Sequence, residues 1–186
     1  MGMLTEFQEM VRQRHLKNMQ FDRSDIDTVR TIYDTNGNPF PFVKLNTVLN
    51  VPNSQVFCGY KTRYIVTDSD QNPFAEIAVV SDNSTALIEY RNEGARRQGI
   101  VLSGLLTVEN DIFSNRVLDN LPTPDGDSKV SNLKLDIDSS NRASQKLAMK
   151  AGFSYDEESE VAIKTFDDYI KQIEITPEEQ WQRNIL

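Results

Sequence analysis

Two segments of this 186-residue chain carry residue types at spacings suited to holding an anion and to closing a helix over a sheet. The first is Arg96-Arg97-Gln98-Gly99-Ile100-Val101, between an alternating stretch and a long apolar one. A helix start leaves several backbone N–H groups without partners, and its dipole favours negative charge. A glycine there lets a diphosphate approach the backbone, and two arginines add charge-assisted contacts. The plain alternative is a pair of solvated arginines ahead of a helix. The second segment runs from Asn141 through Arg142, Ala143, Ser144, Leu147, Ala148 and Lys150 to Ala151-Gly152-Phe153. Asn141 is a cap residue. Ala143, Leu147 and Ala151 fall on one helical face that fits packing on a sheet, with Ser144 and Ala148 on an adjacent stripe. Gly152 suits the left-handed position after a helix, and Phe153 can pack back on Leu147 or Ala148.

The elements that must position these segments follow from hydrophobic period. Thr62 to Thr67 and Phe74 to Val80 read as a hairpin about the turn-rich Asp68–Pro73, and Thr85 to Arg91 as a third strand. From Gln98 to about Arg116 the period becomes helical, with Val101, Leu102, Leu105, Leu106, Val108, Ile112 and Phe113 on one broad face. Asn132 to Ile137 alternates as a strand, Ser139 to Ala151 is a helix, and Val161 to Thr165 is a last strand. Upstream, Thr5 to Met19 reads as an amphipathic helix using Phe7, Met10, Val11 and His15 or Leu16. Ser24 to Tyr33 reads as a second short helix, capped by Ser24 and early acids. Asp34 to Asn53, broken by Gly37, Pro39 and Pro41, reads as loop, and Thr176-Pro177-Glu178-Glu179 as a late helix start. The order predicts a mixed α/β layer with helices on both faces of the sheet.

Composition removes several classes of function. Cys58 is the only cysteine and His15 the only histidine, so a multi-cysteine or His-rich metal site is excluded, and no metal is expected. Cys58 reads as a small packing residue, and Trp181 as packing on a sheet edge or at a dimer contact. A net charge of −8 argues against nucleic acid and anionic membranes as partners. No apolar stretch approaches a bilayer span and the N-terminus has no signal-peptide pattern, so a cytoplasmic protein is the expectation.

Taken in this order and separation, the two segments resemble the GNAT acetyltransferase superfamily. Arg96, Gly99 and Val101 occupy the three positions of its diphosphate turn, and Asn141, Ala143, Ser144, Lys150, Gly152 and Phe153 match its later helix. The resemblance covers roughly Thr62 to Thr165, and its closest form is the branch of ribosomal-protein N-terminal acetyltransferases. It implies one domain over 1–186: N-terminal helices in 1–33, a coenzyme A-binding core in 62–165, and a C-terminal extension in 166–186. It implies a central, mostly antiparallel sheet flanked by helices. The implied activity is transfer of an acetyl group from acetyl-CoA to a primary amine, either a small molecule or a protein N-terminus. Family habit adds a homodimer. Two departures stand out: Val101 replaces a small residue and is expected to crowd the phosphate, and Ala148 stands where many members place a thiolate-protonating tyrosine.

The resemblance also assigns roles. Arg91, Arg96, Arg97, Gln98, Gly99, Ile100, Val101, Asn141 and Ser144 would hold the cofactor, with backbone amides of Thr85 to Arg91 along the pantetheine. Ser144, or water, would protonate the departing sulfur. A base must lie within hydrogen-bond reach of its proton, and Glu89 is its first candidate, ahead of Glu76 and Glu93. A non-catalytic acyl-CoA sensor and a GNAT-fold interaction protein are the competing readings.

Overall fold

The computed structural model describes residues 2–50, 59–82, 84–94, 99–113 and 130–174. Four helices and nine strands lie among them. In chain order they are α1 (Gly2–Asn18), β1 (Ile26–Tyr33), β2 (Pro39–Leu45), β3 (Val48–Asn50), β4 (Gly59–Thr67), β5 (Pro73–Asp82) and β6 (Thr85–Asn92). Then follow α2 (Ile100–Phe113), β7 (Asn132–Asp136), α3 (Arg142–Lys150), β8 (Ser154–Asp156), β9 (Val161–Thr165) and α4 (Phe166–Glu174). The strands form one sheet in the order β1-β2-β4-β5-β6-β7-β9-β8, with β3 also paired to β4. Every pairing is antiparallel except β6 with β7. The mixed α/β layer is the one that the order of elements predicts, and the mostly antiparallel sheet is the one that the family resemblance implies.

Register decides which side chains share a face, because alternate residues of a strand point opposite ways. Tyr64, Ile77 and Tyr90 lie side by side across β4, β5 and β6, as do Thr62, Val79 and Ile88. This face carries the main apolar cluster, which includes Leu105 and Val108 of α2, Ala148 of α3 and Tyr169 of α4. Lys164 of β9 sits on the same face, wholly buried. Its Nζ donates to Glu109 of α2, to the carbonyl of Ala151 after α3 (2.8 Å), and to Gln172 of α4. One buried cation thus ties three helices to one side of the sheet. Asp111, also on α2 and buried, is paired with Arg30 of β1 and accepts from the Tyr64 hydroxyl at 3.3 Å.

The opposite face is more open. Val43, Leu45 and Ile65 form a small second cluster under Phe21 and Ile26, and the Asn18 carbonyl at the end of α1 accepts from Arg63 at 2.9 Å. No residue of α1 is fully buried: Val11, His15 and Leu16 are half-covered, while Phe7 and Met10 are exposed. The apolar face read for this helix is therefore only partly used.

Two local readings are corrected, and two elements lie outside any sequence reading. Ser24 to Tyr33 is not a helix. A single 3-10 turn at Arg23–Asp25, capped by Asp22, gives way to β1, where the branched residues Ile26, Thr28, Val29, Thr31 and Ile32 pair with β2. β-Branched side chains favour that outcome. The region read as loop contains β2 and β3. Pro39 and Pro41 are tolerated because β2 pairs with β4 only over Phe42–Lys44, so the prolines have a strand neighbour on one side only. β8 and α4 were not predicted. α4 starts at a reciprocal box: the Asp168 carboxylate accepts from the Thr165 N–H (3.0 Å) and hydroxyl (2.8 Å), and Thr165 Oγ1 accepts from the Asp168 N–H (3.1 Å). The late helix start at Thr176, Trp181 and Cys58 lie outside the described residues.

Candidate active site

β6 and β7 separate along their length. They pair only at Thr85–Asn132, Ala86–Leu133 and Leu87–Lys134, although β6 continues to Asn92. Beyond Leu87 the backbone edge of β6 that faces β7 has no strand partner among the described residues. A cavity of about 430 Å³ opens in this gap, with Ile88 to Arg91 on one wall and Leu135, Asn141 and Ser144 among the residues opposite. Strands that part in this way expose N–H and C=O groups that an extended ligand can satisfy, as an added strand would.

A second cavity, about 440 Å³, lies on the open face of the sheet. Its shape comes from one small side chain. Ala78 sits between Arg63 of β4 and Glu89 of β6, with Glu76 on its own strand beside it, so larger charged residues ring a low floor. Asn18 and Lys61 complete part of the rim. Both cavities are lined by Glu89, Tyr90 and Arg91, which makes the end of β6 the wall they share.

The three carboxylates considered as bases have different surroundings. Glu76 is engaged by Arg63, whose Nε and Nη2 donate to its two oxygens at 2.6 and 3.3 Å. Glu93 receives His15 Nδ1 on one oxygen, while Arg12 Nε donates to the Glu93 carbonyl at 3.2 Å. Glu89 is exposed, lines both cavities, and has no ion pair or hydrogen bond among the described residues. Of the three, it alone has both oxygens unoccupied among the described residues.

Asn141 caps α3 by accepting from the Ser144 N–H at 3.1 Å, and Ser144 itself lines the gap. The helix is rotated relative to its sequence reading. Gln145, Ala148 and Ala151 are buried, whereas Ala143 is exposed. Gln145 holds the preceding loop by donating to the carbonyls of Ser139 (2.9 Å) and Asp138 (3.2 Å). Gly152 has φ +87° and the helix end carries both crossed bonds of the left-handed stop, Phe153 N–H to Ala148 and Gly152 N–H to Met149, each 3.0 Å.

Arg96, Arg97 and Gln98 lie outside the described residues. Gly99, just before α2, has φ +82°, and a Cβ there would stand 2.7 Å from Thr35 Cγ2 in the β1–β2 turn. Its own backbone and that close approach require glycine whatever the turn binds. Ile100 and Val101 are buried, both in the apolar cluster. Any part they take in holding an anion is through their backbone, and the expected crowding by Val101 does not arise from a side chain that points inward. Ala148 is likewise enclosed in the core.

The motif reading passed over Tyr90. Its hydroxyl is buried with no hydrogen-bond partner of good geometry among the described residues. Burial raises its pKa above the ordinary phenol value, and the neighbouring Ser144 hydroxyl partly offsets this. The available signal was alternation: Tyr90 follows Ala86 and Ile88 in the core phase of β6, a position where a polar group needs a reason. Lys61, Arg63 and Ala78 belong to no motif and become neighbours only through strand register.

No family model matches the sequence, and no curated protein is significantly similar to it. Among solved structures the chain is similar to a spermidine N-acetyltransferase from Vibrio cholerae in complex with CoA and spermine. Identity is 13% and the TM-score 0.44, over 59% of this chain and 68% of that one. It is also similar to the aminoglycoside acetyltransferase AAC(6')-Ib in complex with coenzyme A and kanamycin, at 14% identity and a TM-score of 0.45, over 60% and 70%. A chimera of spermidine N-acetyltransferase SpeG from Vibrio cholerae and hSSAT gives 12% identity and a TM-score of 0.46, over 59% and 70%. At such values the likeness says nothing of this chain's own chemistry.

Proposed function

We propose that the chain is a GNAT-type N-acetyltransferase, one domain over 1–186, that moves an acetyl group from acetyl-CoA to a primary amine. The observation that carries this reading is the meeting of two cavities at Glu89, Tyr90 and Arg91, one in the gap between β6 and β7 and one on the open face. A two-substrate transfer needs donor and acceptor to reach a common point from different sides. The residues fit the donor: an unpaired strand edge suits pantetheine, and Gly99 with its positive φ leads into the N-terminus of α2. Backbone groups of β6 up to Arg91 would hold the pantetheine. Arg96, Arg97, Gln98, Gly99 and the backbone of Ile100 and Val101 would hold the diphosphate, with Asn141 and Ser144 on the far wall.

Acetyl-CoA, when bound, supplies an acetyl group activated as a thioester. Glu89, directly or through a water, takes the proton that the amine gives up as its nitrogen bonds to the acetyl carbon. Ser144, beside the buried Tyr90 hydroxyl, supplies the proton for the sulfur that leaves with the electron pair of the broken carbon–sulfur bond. The products are an N-acetyl amine and free CoA. The nearest branch in motif is that of the ribosomal-protein acetyltransferases; a homodimer and a cytoplasmic setting accompany the reading. No described helix is long and apolar enough to cross a membrane.

The test is release of CoA thiol across a panel of primary amines. Glu89→Gln is expected to lower kcat by about 10²–10⁴-fold while acetyl-CoA binds as before. An unchanged kcat would remove Glu89 as base. Binding of acetyl-CoA with no turnover on any amine would favour the sensor reading.

A further inference from the structure

We propose that the amine accepted in the open-face cavity is an acidic amino acid, its amine at Glu89, its α-carboxylate at Arg91 and its side-chain carboxylate toward Lys61. This rests on the transferase reading and adds the class of acceptor to it. The cavity is lined by three cations, Lys61, Arg63 and Arg91, against two carboxylates, Glu76 and Glu89. Arg63 and Glu76 neutralise one another through two hydrogen bonds, and Arg63 spends a further donor on the Asn18 carbonyl. What remains is Lys61, Arg91 and Glu89, none with an ion pair among the described residues. The available charge is therefore two positive and one negative, on a chain whose overall charge is −8.

Such a set selects against polycations. A second ammonium on the acceptor would meet Lys61 or Arg91 once the first had reached Glu89, and like charges placed together penalise a wrong partner. A carboxylate on the same molecule meets the opposite situation. Arg91 follows Glu89 by two residues on the same strand face, about 7 Å along β6. Lys61 lies two strands away in the row of Val80 and Leu87, about 10 Å across the sheet and about 7 Å along it from Glu89, on the side opposite Arg91. One carboxylate close to the amine and a second farther off match these two cations. The cavity's size, about 440 Å³, falls in the range of small-molecule sites.

The test compares glutamate, leucine and spermidine as acceptors, on the wild type and on Lys61→Glu, Lys61→Met and Lys61→Arg. Glutamate binding is followed in parallel by calorimetry on the acetyl-CoA-loaded and free protein. Glutamate is expected to exceed leucine and spermidine by at least about tenfold in kcat/KM, a difference equivalent to about 1.4 kcal/mol. Lys61→Glu and Lys61→Met should remove most of that preference through KM for glutamate, and Lys61→Arg should retain it. A preference for spermidine, or a glutamate-to-leucine ratio indifferent to Lys61, would overturn the proposal and leave the transferase reading intact. Glutamate binding that depends on Lys61 without transfer to any amine would keep the acceptor site and sink the transferase reading. Absence of glutamate binding would sink the proposal itself.

Discussion

The two faces of β5 and β6 differ more than their sequences suggest. On one side Ala75, Ile77, Val79, Ile88 and Tyr90 lie against the helices, and the charges that enter are matched at once, Lys164 by Glu109 and Arg30 by Asp111. On the other, Glu76, Ala78, Glu89 and Arg91 face a cavity, and Lys61, Glu89 and Arg91 have no ion pair among the described residues. β9 makes the contrast sharpest, since Ile163 points outward, 43% exposed, while the neighbouring Lys164 is fully buried. Hydrophobicity alone does not assign a face. The helix-covered side is organised for stability, and the open side carries the proposed acceptor site.

The largest expected effect lies on the covered side. Glu109→Ala leaves Lys164 buried with only neutral acceptors and should cost about 3–5 kcal/mol of stability, read as a fall in the denaturation midpoint. Glu89→Gln, a carboxylate change on the open side, should alter stability by no more than about 0.5 kcal/mol. Equal losses would erase the distinction between the faces.

A finer test uses two alanines of one strand. Ala75→Leu adds bulk within the packed cluster and should cost about 1–3 kcal/mol. Ala78→Leu raises the cavity floor instead, leaving the fold near wild-type stability and raising KM for the acceptor. If Ala78→Leu left KM unchanged, the open-face cavity would not be the acceptor site.

The smallest effect concerns α4, which carries Gln172 to Lys164. Asp168→Ala should remove about 0.5–1 kcal/mol at neutral pH by breaking the helix-start box. The Thr165 N–H and hydroxyl hold the Asp168 carboxyl below the usual carboxylate range. Its contribution is therefore complete above the unfolded-state value and is lost as pH falls through the lower folded value. The difference between wild type and Asp168→Ala should shrink in acid; a difference constant with pH would contradict the assignment.

Strong periods made much of this fold legible. β4, β5, β6 and β9 alternate clearly, α2 has a broad apolar face, and α3 has both a cap and a glycine stop. β1 was misread because Ser24-Asp25 imitates a helix start, although a run of branched residues follows. α4 was missed although Thr165-Phe166-Asp167-Asp168 is itself a start signal, hidden behind the end of β9. At the candidate site the motifs marked Gly99, Asn141 and Ser144 but not the parting of β6 from β7. That depends on where pairing ends at Leu87, a tertiary fact. The cavity over Ala78 was equally hidden, because its charged rim assembles from three strands.

The most direct test of the donor site is thermal unfolding with and without acetyl-CoA, for the wild type and for Ser144→Phe, which fills the gap between β6 and β7. Acetyl-CoA at 100 times its dissociation constant adds about 2.7 kcal/mol to the native state, which corresponds to a rise of roughly 5–10 °C for a chain of this size. The wild type should show that rise and Ser144→Phe should lose it. No rise in the wild type, or an equal rise in both proteins, would contradict the donor site.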